Sequence, residues 1–368
     1  MEEKLQIDSK VFVLERYPVT TDKSLRAWSN AELLALDFIA DKNIDNIHLF
    51  NDRFGVWNCV LHDKKLTTVW TYASQQKAIC KNLERNNLSA DVVFKTPLDA
   101  LNKVNVALIK IPKSLELFEL FLQQIYKSSH EETEVVCGFM LKYFSPSFLK
   151  IASIYFEEVE QSKAWKKARL LVLKKPKKAP SSILRLTEEL INTLEFKGKE
   201  LKQYYGVFSS GSIDIGTQFF LENLKVFPQE TKVLDLASGN GVIAYQVTEL
   251  NSKAEVTLVD DFNLAIESSK INLKDRKAKF LCAENLSSLH NQNFDLVVSN
   301  PPFHFEYENN IEVTLSLFED VKACLKNNGR FLLVANTHLN YKTHLNKLFT
   351  EVTVVNFNKK FEIIECIK

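Results

Sequence analysis

The chain has no apolar run long enough to cross a bilayer. Its 368 residues contain no stretch of about 18 consecutive apolar residues, the length a transmembrane helix needs. The chain begins Met-Glu-Glu-Lys, and no apolar segment of the signal-peptide type follows. We therefore expect neither export nor membrane anchoring, and a cytoplasmic location.

Cysteine is scarce and never closely paired. The six cysteines are scattered, without a Cys-x-x-Cys pair. This spacing argues against a metal site or a disulfide framework. The apolar surroundings of most of these cysteines are typical of reduced core thiols, which points to a cytosolic protein.

The chain also lacks a net charge that would select a class of partner, since its formal charge is +1. The distribution is nevertheless uneven. Eight basic residues and no acidic residue lie between positions 163 and 178, beside Trp165. Such a run can bind phosphates or form a solvated linker, and the sequence favours neither.

The length and the order of elements predict two α/β domains. A chain of 368 residues can bury about two cores. Strand-like and helical segments alternate through both halves, which predicts parallel sheets. Two prolines among four lysines at 174–180 predict a linker, so we place the domains at residues 1–178 and 183–368.

The two halves are predicted to be copies of one unit. A constant 190 positions separates Trp70 from Asp260, Asn82 from Asn272, and Lys110 from Asn300. Asn51 and Asp235 differ by 184 positions, which indicates a shorter segment in the first copy. In the first copy, Trp70 stands in place of the acid and Lys110-Ile-Pro-Lys113 in place of Asn-Pro-Pro-Phe, so only the second copy is expected to hold a small molecule. A coincidental offset between two parallel-sheet domains is the alternative.

A short apolar, β-branched strand followed by two prolines marks the candidate reaction site, Asn300-Pro301-Pro302-Phe303-His304. The prolines cannot continue a sheet, so Asn300 lies at the carboxyl end of a strand, where open α/β sheets bind ligands. Asn300 and the proline carbonyls can accept hydrogen bonds from an amine, and the two rings can stack on a planar substrate. An ordinary strand-to-turn junction is the alternative.

A glycine turn, Asp235-x-Ala237-x-Gly239-x-Gly241, joins an earlier strand to a helix and differs from the G-x-G-x-x-G of dinucleotide folds. Its glycines let a ligand approach the backbone, and the helix N-terminus favours a carboxylate. Asp260, at the end of the next strand, can accept both hydroxyls of a ribose. NAD and adenosyl ligands both fit this pattern, and the amine acceptor at the later strand end favours the adenosyl ligand.

These motifs resemble those of S-adenosylmethionine-dependent methyltransferases that act on exocyclic or amide nitrogens. Over nearly its whole length, the chain is similar to the large-subunit (23S) ribosomal RNA guanine-N2 methyltransferase family, type G, which shares its duplicated plan with the small-subunit type C enzymes. The likeness is carried by Leu14-Glu-Arg-Tyr-Pro18, Asn51-Asp-Arg-Phe-Gly55, Leu108-Ile-Lys-Ile-Pro-Lys113, Ala164-Trp-Lys-Lys-Ala-Arg169, Val207-Phe-Ser209, Asp214-Ile-Gly216 and Pro301-Pro-Phe-His304.

The resemblance implies two tandem Rossmann-like domains of the class I methyltransferase fold, with a degenerate N-terminal copy that docks RNA. It implies methyl transfer from S-adenosyl-L-methionine to the exocyclic N2 amine of one guanosine in 23S ribosomal RNA, either naked or in an assembling subunit. Neither a metal nor a membrane is expected, and a monomer is favoured. The residues expected to contact the RNA are His304, Lys166, Lys167 and Arg169.

The resemblance also assigns individual roles. A base turned out of the RNA would meet Asn300, Pro301, Pro302 and Phe303, with the first two accepting the N2 hydrogens and Phe303 stacking on the base. The implied cofactor residues are Asp235, Ala237, Gly239 and Gly241 in the turn, Asp260 at the ribose, Glu284 or Asn285 at the adenine edge, Asp214 and Gly216 near the methionine ammonium, and Asn300 beside them.

Ala237 departs from the family pattern, which usually has glycine there. The turn can hold the extra methyl group if φ stays negative. We therefore expect cofactor binding to be retained, with some loss of affinity.

Three alternatives fit parts of the sequence. One is a 16S ribosomal RNA guanine-N2 methyltransferase, and another is a protein glutamine N5-methyltransferase, which also uses Asn-Pro-Pro with an aromatic residue. The third is a catalytically silent RNA-binding module, against which the intact Asp235, Asp260 and Asn300 argue.

Overall fold

Each of two units, Met1–Leu190 and Ile191–Lys368, is built on a seven-stranded sheet. The computed structural model describes residues 3–20, 22, 24–89, 91–178, 188–209, 211–301 and 311–368. Within these ranges, no helix is both long and apolar enough to cross a bilayer. Each sheet has five neighbouring parallel strands and then two strands paired antiparallel, which confirms the predicted α/β class.

The first unit begins with a hairpin of β1 (Lys4–Ile7) and β2 (Lys10–Val13). Its sheet has the order β5-β4-β3-β6-β7-β9-β8. The elements after the hairpin are α1 (Asn30–Ile39), β3 (Asn46–Phe50), α2 (Val56–Val60), β4 (Lys65–Val69), α3 (Ala73–Arg85), β5 (Val92–Lys95), β6 (Val106–Lys110), α4 (Leu115–Lys127), β7 (Glu134–Met140), α5 (Ser147–Tyr155), β8 (Phe156–Gln161) and β9 (Ala168–Pro176).

The second unit repeats this plan with the order β14-β13-β12-β15-β16-β18-β17. Its elements are β10 (Ile191–Phe196), β11 (Lys199–Tyr204), α6 (Ile215–Asn223), β12 (Lys232–Leu236), α7 (Val242–Leu250), β13 (Glu255–Asp260), α8 (Asn263–Asn272), β14 (Ala278–Cys282), β15 (Phe294–Ser299), α9 (Ile311–Cys324), β16 (Leu325–Asn336), α10 (Tyr341–Leu345), β17 (Glu351–Phe357) and β18 (Phe361–Ile367).

The central strands are apolar without alternation because both faces of the sheet are covered. In β15, Leu296 and Val298 belong to one buried cluster, which includes Val242 of α7. Val297 belongs to a second cluster, which includes Phe318 of α9. Covering by helices on both faces explains the continuous apolar run before Asn300.

The strand order and one repeated side-chain interaction confirm the internal duplication. Asn272 Nδ2 donates to the carbonyls of Lys202 and Asn240, each at 2.8 Å, and its Oδ1 accepts the Lys202 N–H at 2.7 Å. Asn82 makes the same three bonds at the matching positions of the first unit. We call Asn82 and Asn272, with these bonds, the asparagine brace of each unit.

One residue match predicted from the sequence was wrong, and one hairpin was not predicted. The sheet pairs Asn46 with Lys65 as it pairs Lys232 with Glu255, so Asn51 matches Ala237 and not Asp235. Residues 191–204, to which the sequence analysis assigned no element, form the antiparallel hairpin of β10 and β11. Their mixed polar composition hides the strand pattern, because only one face of this hairpin is buried.

His48 is a buried histidine in β3, at the position that Leu234 occupies in the second unit. Neither ring nitrogen has a hydrogen-bond partner in the described part of the chain, and burial lowers the pKa of His48 to about 4. In the unfolded chain, a histidine takes up its proton at its ordinary pKa of about 6.5. The folded state is therefore progressively destabilised as the pH falls from 6.5 towards 4.

We expect His48→Leu to raise the urea midpoint of the full chain, because it removes two buried polar atoms that have no partner in the described structure. The gain should be larger at pH 5 than at pH 7, since only the wild type loses stability through protonation of this ring. Urea unfolding at both pH values is the measurement. Equal gains at the two pH values would contradict the lowered pKa.

Candidate active site

Asp235 lies near the end of β12 and is fully buried. Its Oδ2 accepts the Ala244 N–H of α7 at 2.9 Å, while Oδ1 has no partner in the described structure. Burial, reinforced by the charge of Asp260, raises the pKa of Asp235 to about 8. A buried carboxylate oxygen of this kind favours a ligand that donates a hydrogen bond or carries positive charge.

The turn between β12 and α7 leaves space for a ligand at one glycine and uses the other for packing. At Gly239, φ is 55°, and an added Cβ would meet nothing within 4 Å. At Gly241, φ is 81°, and an added Cβ would lie 2.7 Å from Leu273 Cδ1. Within the described part of the chain, the backbone at Gly239 is therefore open, and its contact with a cofactor stays a prediction.

Ala237 does not keep the negative φ that the sequence analysis assumed. Its φ is 56°, in the left-handed region that favours glycine. Asn51, the matching residue of the first unit, has a φ of 57°. Asparagine tolerates this conformation better than alanine, so Ala237 retains the turn at a cost in strain.

Asp260 ties the end of β13 to the glycine turn. Its Oδ2 accepts the Gly239 N–H at 2.9 Å, and its Oδ1 accepts the Phe262 N–H at 2.8 Å. Burial raises the pKa of Asp260 to about 6. Each oxygen accepts one backbone hydrogen and has capacity for a second donor, as binding of two ribose hydroxyls requires.

Three buried oxygens at this edge have no hydrogen-bond partner in the described structure: Asp235 Oδ1, Ser238 Oγ and Asn263 Oδ1. They lie at the end of β12, in the glycine turn and at the start of α8. Buried polar atoms are normally paired, so this group fits a polar ligand such as an adenosyl cofactor. Sequence analysis missed Ser238, which lies between Ala237 and Gly239, and Asn263, which lies three positions after Asp260.

Asn300 follows β15 and is held by the first turn of α6. Its Nδ2 donates to Thr217 Oγ1 at 2.9 Å and faces Asp214 Oδ2 at 3.4 Å. That carboxylate oxygen caps α6 by accepting the N–H groups of Gly216 and Thr217, at 2.9 and 3.2 Å. Because this oxygen is an acceptor, it sets the Asn300 amide with nitrogen towards α6, and Oδ1, which has no partner in the described structure, can accept from a ligand.

Thr217 is a further site residue that the sequence analysis missed. It lies 83 positions before Asn300, and nothing in the local pattern connects the two. Asp214 was predicted near the methionine ammonium, and the structure places it beside Asn300 as the cap of α6. Asp214, Asn300, Pro301, Asn336, Tyr341 and Lys360 are among the residues that line one cavity.

Glu284 and Asn285 follow β14 and form a local turn. Asn285 Oδ1 accepts from Ser287 N at 3.0 Å, and Asn285 Nδ2 donates to Glu284 Oε1 at 2.9 Å. Their adenine contact stays a prediction.

Three other predicted site residues, Pro302, Phe303 and His304, lie outside the described residues. The described residues contain no group of three or more His, Cys, Asp or Glu side chains that could hold a metal.

The first unit fills its corresponding edge with its own side chains. Lys110, at the position of Asn300, has its ammonium 3.3 Å from the buried Glu32 carboxylate. Arg53, at the position of Gly239, is buried, donates to Ser74 Oγ at 2.8 Å and lies over the Tyr72 ring. Trp70 stands at the position of Asp260. The first unit therefore has no glycine, aspartate or asparagine at the positions of Gly239, Asp260 and Asn300.

The predicted RNA-contact residues of the first unit surround the turn between β8 and β9. Lys166 and Lys167 are exposed, and both have positive φ, 45° and 65°. Arg169 is within β9 and donates to Gln161 Oε1 at 3.4 Å. None of the three belongs to the unit that carries Asp235 and Asn300.

The second unit matches a known methyltransferase family, and the whole chain shares the fold of a solved methyltransferase. Residues 198–365 match the family model described as Methyltransferase small domain. The fold is shared over 99% of this chain and 97% of the other with the T. thermophilus 16S rRNA N2 methyltransferase RsmC, solved with AdoMet and guanosine, at a TM-score of 0.77 and 19% identity. The chain is a class I S-adenosylmethionine-dependent methyltransferase.

The family follows from relatives of full length. Residues 2–180 match the model described as RLMG N-terminal domain. A Psychromonas ingrahamii protein named Ribosomal RNA large subunit methyltransferase G is 30% identical, with 100% of each chain covered. A Yersinia enterocolitica protein of the same name is 30% identical over 98% of this chain and 93% of its own. The chain belongs to the ribosomal RNA large subunit methyltransferase G family.

We expect Ala237→Gly to stabilise the protein by about 1 kcal/mol. Glycine removes the penalty of roughly 1–2 kcal/mol for a left-handed alanine, but it also makes the unfolded chain more flexible, which offsets part of this gain. Urea unfolding of the full chain measures this. Asn51→Gly is the matched control and should give no gain, since Asn51 Nδ2 also donates to the Lys110 carbonyl at 2.9 Å. Destabilisation by Ala237→Gly would contradict the strain at this residue.

Proposed function

We propose that the protein transfers a methyl group from S-adenosylmethionine to the exocyclic N2 amine of a guanosine in 23S ribosomal RNA. The observation that carries the proposal is the fixed orientation of Asn300, whose Nδ2 is bound by α6 and whose Oδ1 is left as an acceptor. The names of the full-length relatives support a large-subunit RNA substrate. The fold shared with a 16S rRNA N2 methyltransferase is consistent with the same nitrogen.

Two acceptors at the end of β15 would orient the target amine. Asn300 Oδ1 and the Pro301 carbonyl accept the two N2 hydrogens, which directs the nitrogen lone pair away from them. S-adenosylmethionine, when bound, supplies a methyl group on a positively charged sulfur. An amine conjugated with a purine is a weak nucleophile, so its alignment contributes more than early removal of a proton. After methylation, the nitrogen releases one of its two protons to solvent water. Phe303 is assigned to stacking on the base.

The second unit alone would hold the cofactor. Asp260 binds the ribose hydroxyls, and the open backbone at Gly239 receives the amino-acid end. Asp214 remains the candidate for the methionine ammonium, and Glu284 or Asn285 for the adenine edge. Arg53 occupies the matching place in the first unit, which is therefore assigned to RNA docking and scaffolding. Because the substrate is ribosomal RNA, the cytoplasm is the expected location.

Comparison of the two ribosomal RNAs tests the proposal directly. Unmodified 23S and 16S RNA, prepared from cells that lack this protein, are incubated with the enzyme and labelled cofactor, and methylated guanosines are mapped by mass spectrometry. We expect one N2-methylguanosine in 23S RNA. A product only in 16S RNA would assign the small-subunit activity instead, and methylation of a protein glutamine would overturn the RNA substrate.

We expect Asn300→Ala to reduce single-turnover transfer by about 100-fold or more, because the amine loses an acceptor that aligns it. Cofactor affinity should stay nearly unchanged, since Asp260 is on another strand. Asp260→Ala should show the reverse pattern, with cofactor affinity lost first. Thr217→Val keeps the side-chain shape but removes the Asn300 partner, and should reduce transfer by a smaller factor. Near-normal transfer by Asn300→Ala would refute the mechanism.

The Lys166-Lys167 turn supports RNA docking by the first unit. Trp165 and Ala168 exchange backbone hydrogen bonds at 2.9 and 2.8 Å, so only two residues form the turn. Positive φ at both positions strongly favours Asn-Gly. Two exposed lysines in this conformation make the folded chain less stable than Asn-Gly would. Binding of a polyanion by their charges accounts for lysine at both positions.

We expect Lys166→Asn combined with Lys167→Gly to stabilise the chain by about 1 kcal/mol and to weaken RNA binding. The slope of log affinity against log salt should fall by about 1.4 to 1.8, because up to two phosphate contacts are lost. Cofactor affinity should be unchanged. Lys166→Arg with Lys167→Arg keeps both charges and is the matched control. An unaltered salt slope would return these residues to the linker interpretation.

A further inference from the structure

The turn between β17 and β18 presents two lysines, Lys359 and Lys360, at the carboxyl edge of the parallel strands. Asn358 Oδ1 accepts the N–H groups of Lys360 and Phe361, at 2.9 and 2.8 Å. The lysine side chains are exposed, and their backbone is fixed by Asn358. The turn therefore does not require ammonium groups for its own stability.

This turn is the counterpart of the Lys166-Lys167 turn in the first unit. β18 begins with Phe361 opposite Asn336, as β9 begins with Ala168 opposite Met140. The Lys360 carbonyl accepts the Thr337 N–H at 3.0 Å, and the Lys167 carbonyl accepts the Leu141 N–H at 2.9 Å. Asn358 N donates to the Phe361 carbonyl just as Trp165 N donates to the Ala168 carbonyl.

The lysine pair is what the two turns share in sequence. The first reads Trp-Lys-Lys-Ala, and the second reads Asn-Lys-Lys-Phe. The turn conformations differ, because φ is positive at both lysines only in the first. Retention of two ammonium groups through a change of flanking residues and of backbone conformation points to a role for the charges themselves.

In the second unit, one member of the lysine pair lines the cavity proposed to receive the target base. Lys360 lines the same cavity as Asn300 and Pro301, and its ammonium is 5.1 Å from the centre of the Phe361 ring. Asp214, in the same cavity, is already occupied as the cap of α6. Within the described residues, no carboxylate lies within ion-pair distance of Lys359 or Lys360.

We infer that Lys359 and Lys360 bind the RNA phosphodiester groups that flank the target nucleotide. This inference rests on the proposed function, because it takes RNA as the substrate. A base that enters the cavity leaves its sugar and phosphates at the rim, where two ammonium groups donate to phosphate oxygens and displace counterions. The site positions the RNA strand, and Asn300 orients the amine within it.

The test compares wild type with Lys359→Ala combined with Lys360→Ala, using unmodified 23S RNA. We expect the RNA Kd and KM to rise about 10-fold at physiological salt and the log–log salt slope to fall by about 1.4 to 1.8. Cofactor Kd and kcat at saturating RNA should stay near wild type. Lys359→Arg with Lys360→Arg should restore binding, because charge and not shape is required.

Lys274→Ala with Lys277→Ala is the matched control, since it removes the same charge from exposed positions at the opposite edge of this sheet. A change in salt slope equal to that of the control would overturn the inference, even if the wild type methylates 23S RNA normally. The binding measurement needs no turnover, so it decides the inference separately. Absence of methyl transfer by the wild type would instead count against the proposed function.

Discussion

The asparagine brace is the interaction on which the geometry of the second unit depends. Asn272 donates to two carbonyls and accepts one N–H, so one amide joins α8, β11 and the glycine turn. Asn240 in turn donates to Gln203 Oε1 at 2.9 Å, and Gln203 Nε2 donates to the carbonyls of Val207 and Phe208. These bonds connect the turn at the cofactor edge with the segment that leads to α6. One hydrogen-bonded framework therefore ties the glycine turn to α8, to β11 and to the backbone of Val207 and Phe208.

The first unit retains its brace and has lost the chemistry around it. Its position equivalent to Gln203 is Arg16, which lies 4.7 Å over the ring of Phe54, the counterpart of Asn240. A cation–π contact thus replaces a hydrogen bond between two amides. Together with Lys110 and Glu32, these changes keep the fold while closing the place where a ligand would bind. The first unit therefore keeps the bonds of the brace without the residues of the candidate site.

The sequence could predict those features that depend on local chemistry. The spacing of Asp235, Gly239 and Asp260 predicted that the glycine turn and the acid lie together, and the structure joins Gly239 to Asp260 by a hydrogen bond; their contact with a cofactor stays a prediction. The sign of φ at Ala237 could not be read from its residue type, since the turn imposes a conformation that alanine disfavours. The hydrogen-bond partner of Asn300 could not be predicted from the local sequence either, because the packing of α6 brings Thr217 to it.

The hairpin of β10 and β11 is a whole element that the local sequence pattern did not predict. Its residues 191–204 are mostly polar, and their alternation is weak because only a few side chains face the core. The offset of 190 positions was nevertheless informative, since it joined Asn82 to Asn272 before either role was known. An error of two residues at Asn51 arose because the first unit differs in length from the second between its turn and β4.

The bonds from Asp260 to Gly239 and Phe262 have a kinetic consequence for cofactor capture. Both N–H groups are hydrogen-bonded within the protein, so Asp260 fixes the turn through bonds that need no ligand. The entropy of ordering these residues is lost during folding and not during association. At the proposed cofactor site, such preorganisation would remove a conformational step from the encounter, and diffusion and access to the turn would then set the rate of cofactor entry.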